Sequence, residues 1–167
     1  MGVKHLSGIL GVKTSVATSL LAKFHRQFPG IAAYAQAIVK QARQQGYVTT
    51  MGGRRRYLPD LASRDANLRA AAERQALNTP IQGSAADIVK AAMCRVDELL
   101  SLQRLRAKLL CQIHDELMYE VPLDQEAITV AVVRQAMCDL PQMALDVPLA
   151  VKVYIGPSWG SVKEQAS

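Results

Sequence analysis

Two adjacent carboxylates, Asp115 and Glu116, follow His114 within a stretch (107–121) whose other residues favour strands. Apolar and β-type residues flank the triplet, so we expect it at the turn between two short strands. A hairpin tip would hold the carboxylates rigidly and leave them open to solvent. Hard oxygen ligands of this kind suit Mg²⁺, which usually takes one or two protein carboxylates plus substrate phosphate. The alternative is that both are ordinary polar turn residues, and these three letters alone leave it open.

A second candidate group consists of Arg74, Asn78 and Gln82, spaced four residues apart. This spacing places the three along one helical face, drifting about 40° per step. A cation followed by two amides suits a groove lined with phosphates and base-edge acceptors. Small residues that would let a large partner approach closely surround the series: Ala70, Ala71, Ala72 and Ala76. A solvated helix face without a ligand is the alternative.

The third group is the run Gly52-Gly53-Arg54-Arg55-Arg56-Tyr57. The glycines permit a tight turn, and three consecutive guanidiniums offer planar forks for phosphate oxygens. In a strand only Arg54 and Arg56 would share one side. Further basic residues favour a surface that binds a nucleic-acid backbone: Lys40, Arg43, Arg64 and Arg69. A basic surface turn without a ligand is the alternative.

The charge is divided unevenly along the 167 residues, although the net charge is +6. Residues 1–74 hold 12 basic and 3 acidic residues (+9), and residues 75–167 hold 8 basic and 11 acidic residues (−3). A basic half that faces a polyanion, beside an acidic half that holds divalent cations, suits a nucleic-acid enzyme. A solvated imbalance without a partner is the alternative.

Composition excludes several classes. Half of the residues are hydrophobic and a fifth are charged, so the chain can bury a core and is not intrinsically disordered. The length suits one domain or a piece of a larger one. No apolar run or signal pattern predicts a membrane partner or secretion. Cys94, Cys111 and Cys138 are too few and scattered for a disulfide framework or a zinc knuckle, which favours a reducing compartment.

Helices and antiparallel strands are segregated along the chain, so the predicted class is α+β. Helices are predicted over 14–28, 31–45, 68–100 and 124–139, and strands over 47–50, 54–58, on both sides of 114–116, and over 149–155. Pro80 predicts a break or kink in the long helix near 78–82. Ile128, Val132 and Met137 should face inward from the last helix. Trp159 should anchor the C-terminal segment against the core.

In this order, the segments resemble the C-terminal part of a family A (polymerase I-like) DNA polymerase. The matching stretches are GGRRRYLPDL at 52–61, RAAAERQALNTPIQGSAADIVKAAM at 69–93, QIHDELMYEV at 112–121 and VPLAVKVYIGPSWG at 147–160. The resemblance covers nearly the whole chain. The triple arginine, the AERQA and QGSAAD stretches and the terminal SWG are closer to the eukaryotic nu and theta type than to bacterial repair polymerases.

The resemblance implies catalytic roles at the predicted hairpin. Asp115 corresponds to the palm aspartate that binds the catalytic metals, and Glu116 to its acidic neighbour, which supports the site. His114 corresponds to a residue near the primer terminus and counts among the DNA-binding residues. The implied cofactor is Mg²⁺ in a two-metal site that this sequence encodes only in part. Two ions about 3.5–4 Å apart stabilise the attacking and leaving oxygens in phosphoryl transfer.

The resemblance also implies a DNA-binding surface. Arg74, Asn78 and Gln82 match the helix that lines the minor groove near the primer–template junction, in agreement with the spacing argument. Arg54 and Arg55 are expected near the DNA backbone.

The implied fold is a partial polymerase palm, with a motif hairpin packed on helices, plus part of the helical fingers. Residues 1–66 are expected to be fingers-like and residues 67–167 palm-like. The family also needs an upstream palm strand with a second metal-binding aspartate, a nucleotide-binding helix that ends in YG, and a thumb. The sequence contains no counterpart of these parts. We therefore expect a fragment or truncated gene product that does not polymerise alone.

The implied function of the parent protein is DNA-directed DNA polymerisation in replication or repair, a nucleotidyl transfer to a primer 3′-hydroxyl. Its expected partners are primer–template DNA, deoxynucleoside triphosphates and the missing N-terminal part of the polymerase domain. The compartment would be nuclear for a eukaryotic nu or theta type, and otherwise the cytoplasm or nucleoid. The alternatives are a non-catalytic DNA-binding module and an HD-type metal phosphohydrolase. The second is disfavoured because such enzymes draw several histidines and aspartates from helices.

Overall fold

The computed structural model describes residues 2–141, 143 and 145–165. Met1, Gln142, Ala144, Ala166 and Ser167, which fall in the predicted fingers-like and palm-like portions, lie outside the described residues. The helices are α1 (Val3–Leu10), α2 (Thr14–Gln27), α3 (Pro29–Gln45), α4 (Ala66–Leu102) and α5 (Glu126–Cys138). The strands are β1 (Tyr47–Thr49), β2 (Arg55–Tyr57), β3 (Lys108–Ile113), β4 (Glu116–Glu120), β5 (Tyr154–Ile155) and β6 (Lys163–Glu164).

The described strands form two-stranded pairs: β1 with β2, β3 with β4, and β5 with β6. The last two pairs are antiparallel. Helices therefore dominate the fold and small strand pairs accompany them, which confirms the predicted α+β class. Among the described residues, none of the helices has the length and apolar character needed to cross a membrane.

The chain divides into two compact units. The first consists of the residues up to Val48 together with Arg55–Asn78, and the second of Thr49–Arg54 together with the chain from Thr79 onward. The assignment of residues 1–66 to fingers and 67–167 to palm stays a prediction.

The first unit has its core where α3, the β1–β2 pair and the start of α4 meet. Its buried residues are Ala42, Val48, Leu58, Leu61, Ala72 and Ala76. Gly46 ends α3 in the left-handed conformation that glycine adopts without strain (φ 81°). Ala72 and Ala76 are core residues, so these two of the four alanines do not offer a surface for a partner.

Apolar residues recur with a helical period along α2 and at Phe28 just after it, but their side chains remain exposed. Val16, Leu20, Phe24 and Phe28 all keep more than two-fifths of their surface accessible. Ala17, which carries only a methyl group, is the buried position of this helix. The amphipathic period therefore predicts the helix, but it does not predict how much of the apolar face is buried.

Of the break or kink predicted near Pro80, the break does not occur, because α4 continues through this residue for 37 residues in all. Proline removes one backbone N–H and crowds the preceding turn, which costs about 3 kcal/mol in a helix interior. A helix of this length retains the hydrogen bonds on both sides of the missing one. The carbonyl that loses its backbone donor is that of Ala76, four residues earlier. In the following turn the Ser84 hydroxyl donates to the Pro80 carbonyl.

The second unit has its core between the C-terminal half of α4 and α5. Val96, Leu100, Val132 and Ala136 are buried there, and Tyr119 of β4 packs against them. Val132 and Met137 face this core as predicted. Ile128 does not, because 48% of it is exposed and Thr129 takes the inward position. The helix begins at Glu126 after a short 3₁₀ turn (Leu123–Gln125), two residues later than predicted.

The C-terminal segment differs from the prediction in two ways. The strand expected over 149–155 is confined to Tyr154–Ile155, because β6 pairs with only these two residues. Trp159 lies in a 3₁₀ turn with 65% of its surface exposed, so it does not anchor the segment in the core. Indole burial was expected from residue type alone, but the 3₁₀ turn that carries Trp159 leaves the indole exposed.

The buried hydroxyl of Thr129 allows a stability prediction. Its Oγ1 has no hydrogen-bond partner among the described residues, and only 1% of the residue is exposed. A buried unsatisfied hydroxyl destabilises the folded state, so Thr129→Val should raise the free energy of unfolding by about 1 kcal/mol. Thermal unfolding followed by circular dichroism should show a midpoint about 3 °C higher.

Thr18→Val is the matched control, because the Thr18 hydroxyl is exposed and donates to the Thr14 carbonyl at 2.9 Å. This variant should show no gain in stability. An unchanged or lower midpoint for Thr129→Val would contradict the interpretation of the buried hydroxyl.

Candidate functional site

His114 and Asp115 form the two-residue turn of the β3–β4 hairpin. Ile113 pairs with Glu116 across the turn, so Glu116 is the first residue of β4 rather than a turn residue as predicted. His114 has a φ of 54°, a left-handed conformation typical of tight hairpin turns. The Gln112 side chain donates to the His114 carbonyl at 2.8 Å and supports this turn. The sequence-predicted hairpin is therefore formed, with the acidic pair at its tip.

All three side chains at this tip are exposed. The base of the hairpin is held instead by Tyr119, whose ring packs on the core of the second unit. Burial, with a contribution from the charge of Asp97, raises the pKa of Tyr119 to about 12. A bulge between Leu109 and Cys111 adds a local irregularity to β3. The hairpin is thus anchored at one end and presents its carboxylates to solvent at the other.

The donor set at the tip fits a divalent cation in part. Asp115 and Glu116 are exposed oxygen donors, and magnesium needs only one or two protein carboxylates when substrate phosphates complete its shell. No group of three or more His, Cys, Asp or Glu residues that could hold a metal occurs within residues 2–141, 143 and 145–165. A cation bound at this tip would therefore need further ligands from outside the described residues. The same observation disfavours the HD-type site, which needs several such ligands.

The structure places Arg74, Asn78 and Gln82 on α4, and all three are exposed. Because α4 is continuous through Pro80, the four-residue spacing holds across the whole series. Asn78 and Gln82 are therefore not separated by a loop, as a break at Pro80 would have required. In contrast to this exposed polar series, Ala72 and Ala76 of the same helix are buried.

The arginine run has a different arrangement from the one predicted. Arg54 precedes β2 and contacts Asp87 of α4, with Nε and Nη2 donating to Oδ1 at 3.0 and 2.7 Å. Arg54 and Arg56 therefore do not continue one strand, since β2 begins at Arg55. The Arg55 guanidinium lies 4.8 Å from the centre of the Tyr47 ring, a cation–π contact. Arg54 and Arg55 are thus ordered by protein contacts within their own units.

Two of the additional basic residues also have protein partners. Arg43 pairs with Glu73, and Arg69 donates to the Ser63 and Arg64 carbonyls at 2.9 Å each. The role of these two residues in the first unit is therefore partly structural. This arrangement reduces the cationic surface that sequence alone predicted.

Sequence reasoning missed a polar network around Asp87. The Thr50 hydroxyl donates to the Asp87 carboxylate, and the Met51 N–H donates to the Ser84 hydroxyl at 2.8 Å. A side chain on Gly83 would come within 2.5 Å of Thr50, and one on Gly52 within 2.8 Å of Asp87. The available signal was the QGSAAD stretch, where a helical glycine marks a close approach and Asp87 is a lone carboxylate among small residues.

The Asp87 carboxylate makes stability depend on acid pH. The Thr50 hydrogen bond and, less strongly, Arg54 hold the pKa of Asp87 below its ordinary value of 3.8. A lowered folded-state pKa adds stability above the ordinary value, and this contribution is lost as pH falls through the folded-state pKa. Urea unfolding should therefore show a fall in stability below about pH 4 that is smaller in Asp87→Asn.

Asp124→Asn is the control for this titration, since Asp124 pairs with Arg106 on the exposed surface. Exposed pairs contribute little, so its pH dependence should follow that of the wild type. Equal pH dependence of the wild type and Asp87→Asn would contradict the assignment of the acid transition to Asp87.

Comparison with known proteins identifies the class. The family model "DNA polymerase family A" matches residues 1–161, and the chain therefore belongs to DNA polymerase family A. The chain is 46% identical over 158 residues to DNA polymerase I of Bacillus subtilis (strain 168), covering 95% of the chain and 18% of that protein. It is 45% identical over 152 residues to DNA polymerase I of Mycobacterium leprae (strain TN), covering 91% of the chain and 16% of that protein.

A solved structure shares the fold. The POL domain of Pol1 from M. smegmatis, in complex with DNA primer–template and dNTP, superposes with a TM-score of 0.84 at 42% identity. This match covers 89% of the present chain and 26% of the other. The chain thus spans less than a fifth of the length of the two curated relatives. Family A polymerases in general depend on metal ions. The finer likeness to the nu and theta type is not confirmed, since these relatives are bacterial polymerases I.

Proposed function

We propose that this chain is part of a DNA-directed DNA polymerase, which adds deoxynucleotides to a primer 3′-hydroxyl as directed by a template. The observation that carries the proposal is the exposed Asp115 at the tip of the β3–β4 hairpin in a member of DNA polymerase family A. A carboxylate anchored through the core yet open to solvent can meet a metal ion and a substrate phosphate together.

In this proposal Asp115 holds the metal ion, Glu116 supports the charge of the site, and His114 lies near the primer terminus. The cofactor is Mg²⁺, which supplies stabilisation of negative charge on the reacting phosphate when bound. The turn at His114 and the pairing of Ile113 with Glu116 fix the backbone at Asp115, and this orients its carboxylate. The remaining ligands belong to the part of the polymerase domain outside this sequence.

The DNA-binding surface in this proposal consists of Arg74, Asn78 and Gln82 on α4, with Arg54 and Arg55 at the arginine run. Exposed amides on a helix can donate to and accept from base edges in a minor groove. The guanidiniums supply contacts to the DNA backbone. The excess of positive charge in residues 1–74 supports the same assignment. The partners are primer–template DNA and deoxynucleoside triphosphates.

Primer extension tests the proposal. The full-length polymerase that contains this sequence should extend a labelled primer in the presence of Mg²⁺ and deoxynucleoside triphosphates. The purified 167-residue chain should not extend it, because its described residues lack a complete metal site. Absence of extension by the full-length protein would reject the proposed activity. Extension by the isolated chain would reject the shared metal site.

The second candidate is a DNA-binding module without catalysis, favoured by the charge of +9 in residues 1–74. DNA affinity measured by fluorescence anisotropy should then fall with salt at a slope of about −0.9 per neutralised phosphate. The two candidates differ in the full-length protein, where only the polymerase extends a primer. An affinity that salt does not change would count against both.

We further infer that the parent protein is of the polymerase I type, that residues 1–66 are fingers-like and that residues 67–167 are palm-like. The identity to two bacterial polymerases I supports the first point. A location in the cytoplasm or nucleoid follows from that type, whereas a nu or theta type would imply the nucleus. The genomic sequence upstream of the Met1 codon tests whether the chain is a fragment of such a polymerase. An in-frame aspartate-bearing strand and a helix ending in YG are expected there.

A further inference from the structure

Asp87 is a carboxylate that the proposed chemistry does not use, yet the second unit buries it and surrounds it with donors. Only 9% of the residue is exposed. It accepts hydrogen bonds from the Thr50 hydroxyl and from Nε and Nη2 of Arg54. A buried carboxylate is costly unless it is paired, so this set of donors is what permits its position.

The turn that carries Arg54 is fixed to α4 by more than this ion pair. The Met51 N–H donates to Ser84 at 2.8 Å, and the Arg54 N–H donates to the Thr50 hydroxyl at 3.1 Å. Gly52 lies so close to Asp87 that a β-carbon would be 2.8 Å from Oδ2. Asp87 of α4 therefore holds the guanidinium of Arg54 directly, and it holds the Arg54 backbone N–H through the Thr50 hydroxyl.

Arg54 is nevertheless accessible, because 59% of its side chain remains exposed. Asp87 contacts the Nε–Nη2 edge of the guanidinium. A planar guanidinium has five N–H donors in a rigid fork, so fixing one edge also fixes the direction of the others. An arginine held in one orientation loses less conformational freedom when it binds a phosphate.

We propose that Asp87 is a positioning residue that orients Arg54 as a ligand for a backbone phosphate of DNA. The proposal rests on the proposed function, and it adds to it how one of the predicted phosphate ligands is held. Asp87 itself touches no DNA in this account and acts only through the guanidinium. Thr50 shares the task, since its hydroxyl binds both the Asp87 carboxylate and the Arg54 N–H.

The direction in which Asp87→Asn changes the affinity for DNA distinguishes a positioning role from a purely electrostatic effect. Asp87→Asn removes a negative charge, so electrostatics alone would strengthen the binding of a polyanion. If Asp87 orients Arg54, the same change releases the guanidinium and weakens binding. Opposite directions are thus expected from the two roles in a single measurement.

The test measures the affinity of the 167-residue chain for a fluorescent primer–template duplex at several salt concentrations. Arg54→Ala should weaken binding about tenfold and reduce the salt slope by about 0.9, the value for one phosphate contact. Asp87→Asn should weaken binding about fivefold, although it removes a negative charge. The double variant should bind no more weakly than Arg54→Ala, because Asp87 acts only through Arg54.

Asp124→Asn is the matched control, because it removes the carboxylate of another Arg–Asp pair, that with Arg106, from an exposed position. Its affinity should stay within about twofold of the wild type. Circular dichroism checks that each variant is folded. If Asp87→Asn does not fold, Arg54→Lys replaces it: the lysine keeps the charge but not the two-point contact, so it should weaken binding almost as much as Arg54→Ala.

The outcomes are distinct. Tighter or unchanged binding by Asp87→Asn, or full affinity of Arg54→Lys, would overturn the positioning role. Unchanged affinity and slope in Arg54→Ala would show that Arg54 is not a phosphate ligand and would overturn it as well. Failure of the wild-type chain to bind the duplex would instead reject the proposed DNA-binding function, and the positioning role with it.

Discussion

Asp115→Ala in the full-length polymerase is expected to lower the rate of primer extension by at least about 1000-fold. The loss corresponds to about 4 kcal/mol of transition-state stabilisation, at 1.36 kcal/mol per factor of ten. The physical reason is that, in the proposed function, the exposed Asp115 carboxylate at the hairpin tip is the metal ligand that this sequence supplies. Single-turnover extension of a labelled primer, with enzyme in excess, measures the chemical step directly.

Glu116→Gln is the control for this experiment, since Glu116 starts β4 beside the turn and is proposed to support the site without holding the ion. Its effect should be clearly smaller than that of Asp115→Ala. Duplex affinity should remain within about twofold of the wild type in both variants, because neither removes a positive charge. Extension by Asp115→Ala at a rate near that of the wild type would refute the metal assignment.

The second large effect is expected from the double substitution Arg74→Ala/Gln82→Ala in the same protein. Each contact to a base or phosphate contributes about 1–3 kcal/mol, and the two positions are eight residues apart on α4. Well-separated contacts add, so the dissociation constant of the primer–template should rise about 100-fold. Titration of fluorescent duplex at fixed salt measures this constant. The rate of extension at saturating duplex should change far less, because Asp115 remains in place.

Arg95→Ala is the matched control on the same helix, since it removes one positive charge outside the predicted junction. Arg95 pairs with Glu98 at 2.7 Å and is not part of the polar series. Its loss should change duplex affinity by no more than about twofold. If the double variant binds duplex like the wild type, the polar series does not contact the junction.

Local pattern predicted much of this structure. The acidic turn between β3 and β4 follows from β-type residues on both sides of polar ones, and Gly46 marks the end of α3 by its left-handed conformation. The placement of Arg74, Asn78 and Gln82 along one face of α4 requires only that this stretch be helical. These features depend on residues close in sequence, whose conformational preferences the chain itself reveals.

Features that depend on distant residues were not predictable in this way. Ile128 and Thr129 are neighbours on α5, and the structure buries the threonine and leaves 48% of the isoleucine exposed, an outcome that residue type alone does not predict. The pairing of Arg54 with Asp87 joins residues 33 positions apart. Continuity of α4 through Pro80 likewise reflects a balance between one lost hydrogen bond and many retained ones.

In the proposed function, the hairpin tip provides part of a divalent-cation site that the rest of the polymerase domain completes. Anomalous diffraction from crystals of the full-length protein with primer–template DNA, a non-reactive nucleotide and Mn²⁺ tests it most directly. An anomalous peak is expected in direct contact with an Asp115 carboxylate oxygen, at a distance close to the roughly 2.0–2.1 Å of a Mg²⁺–oxygen contact. A bound Mn²⁺ beside the nucleotide phosphates whose coordination shell omits Asp115 would contradict it.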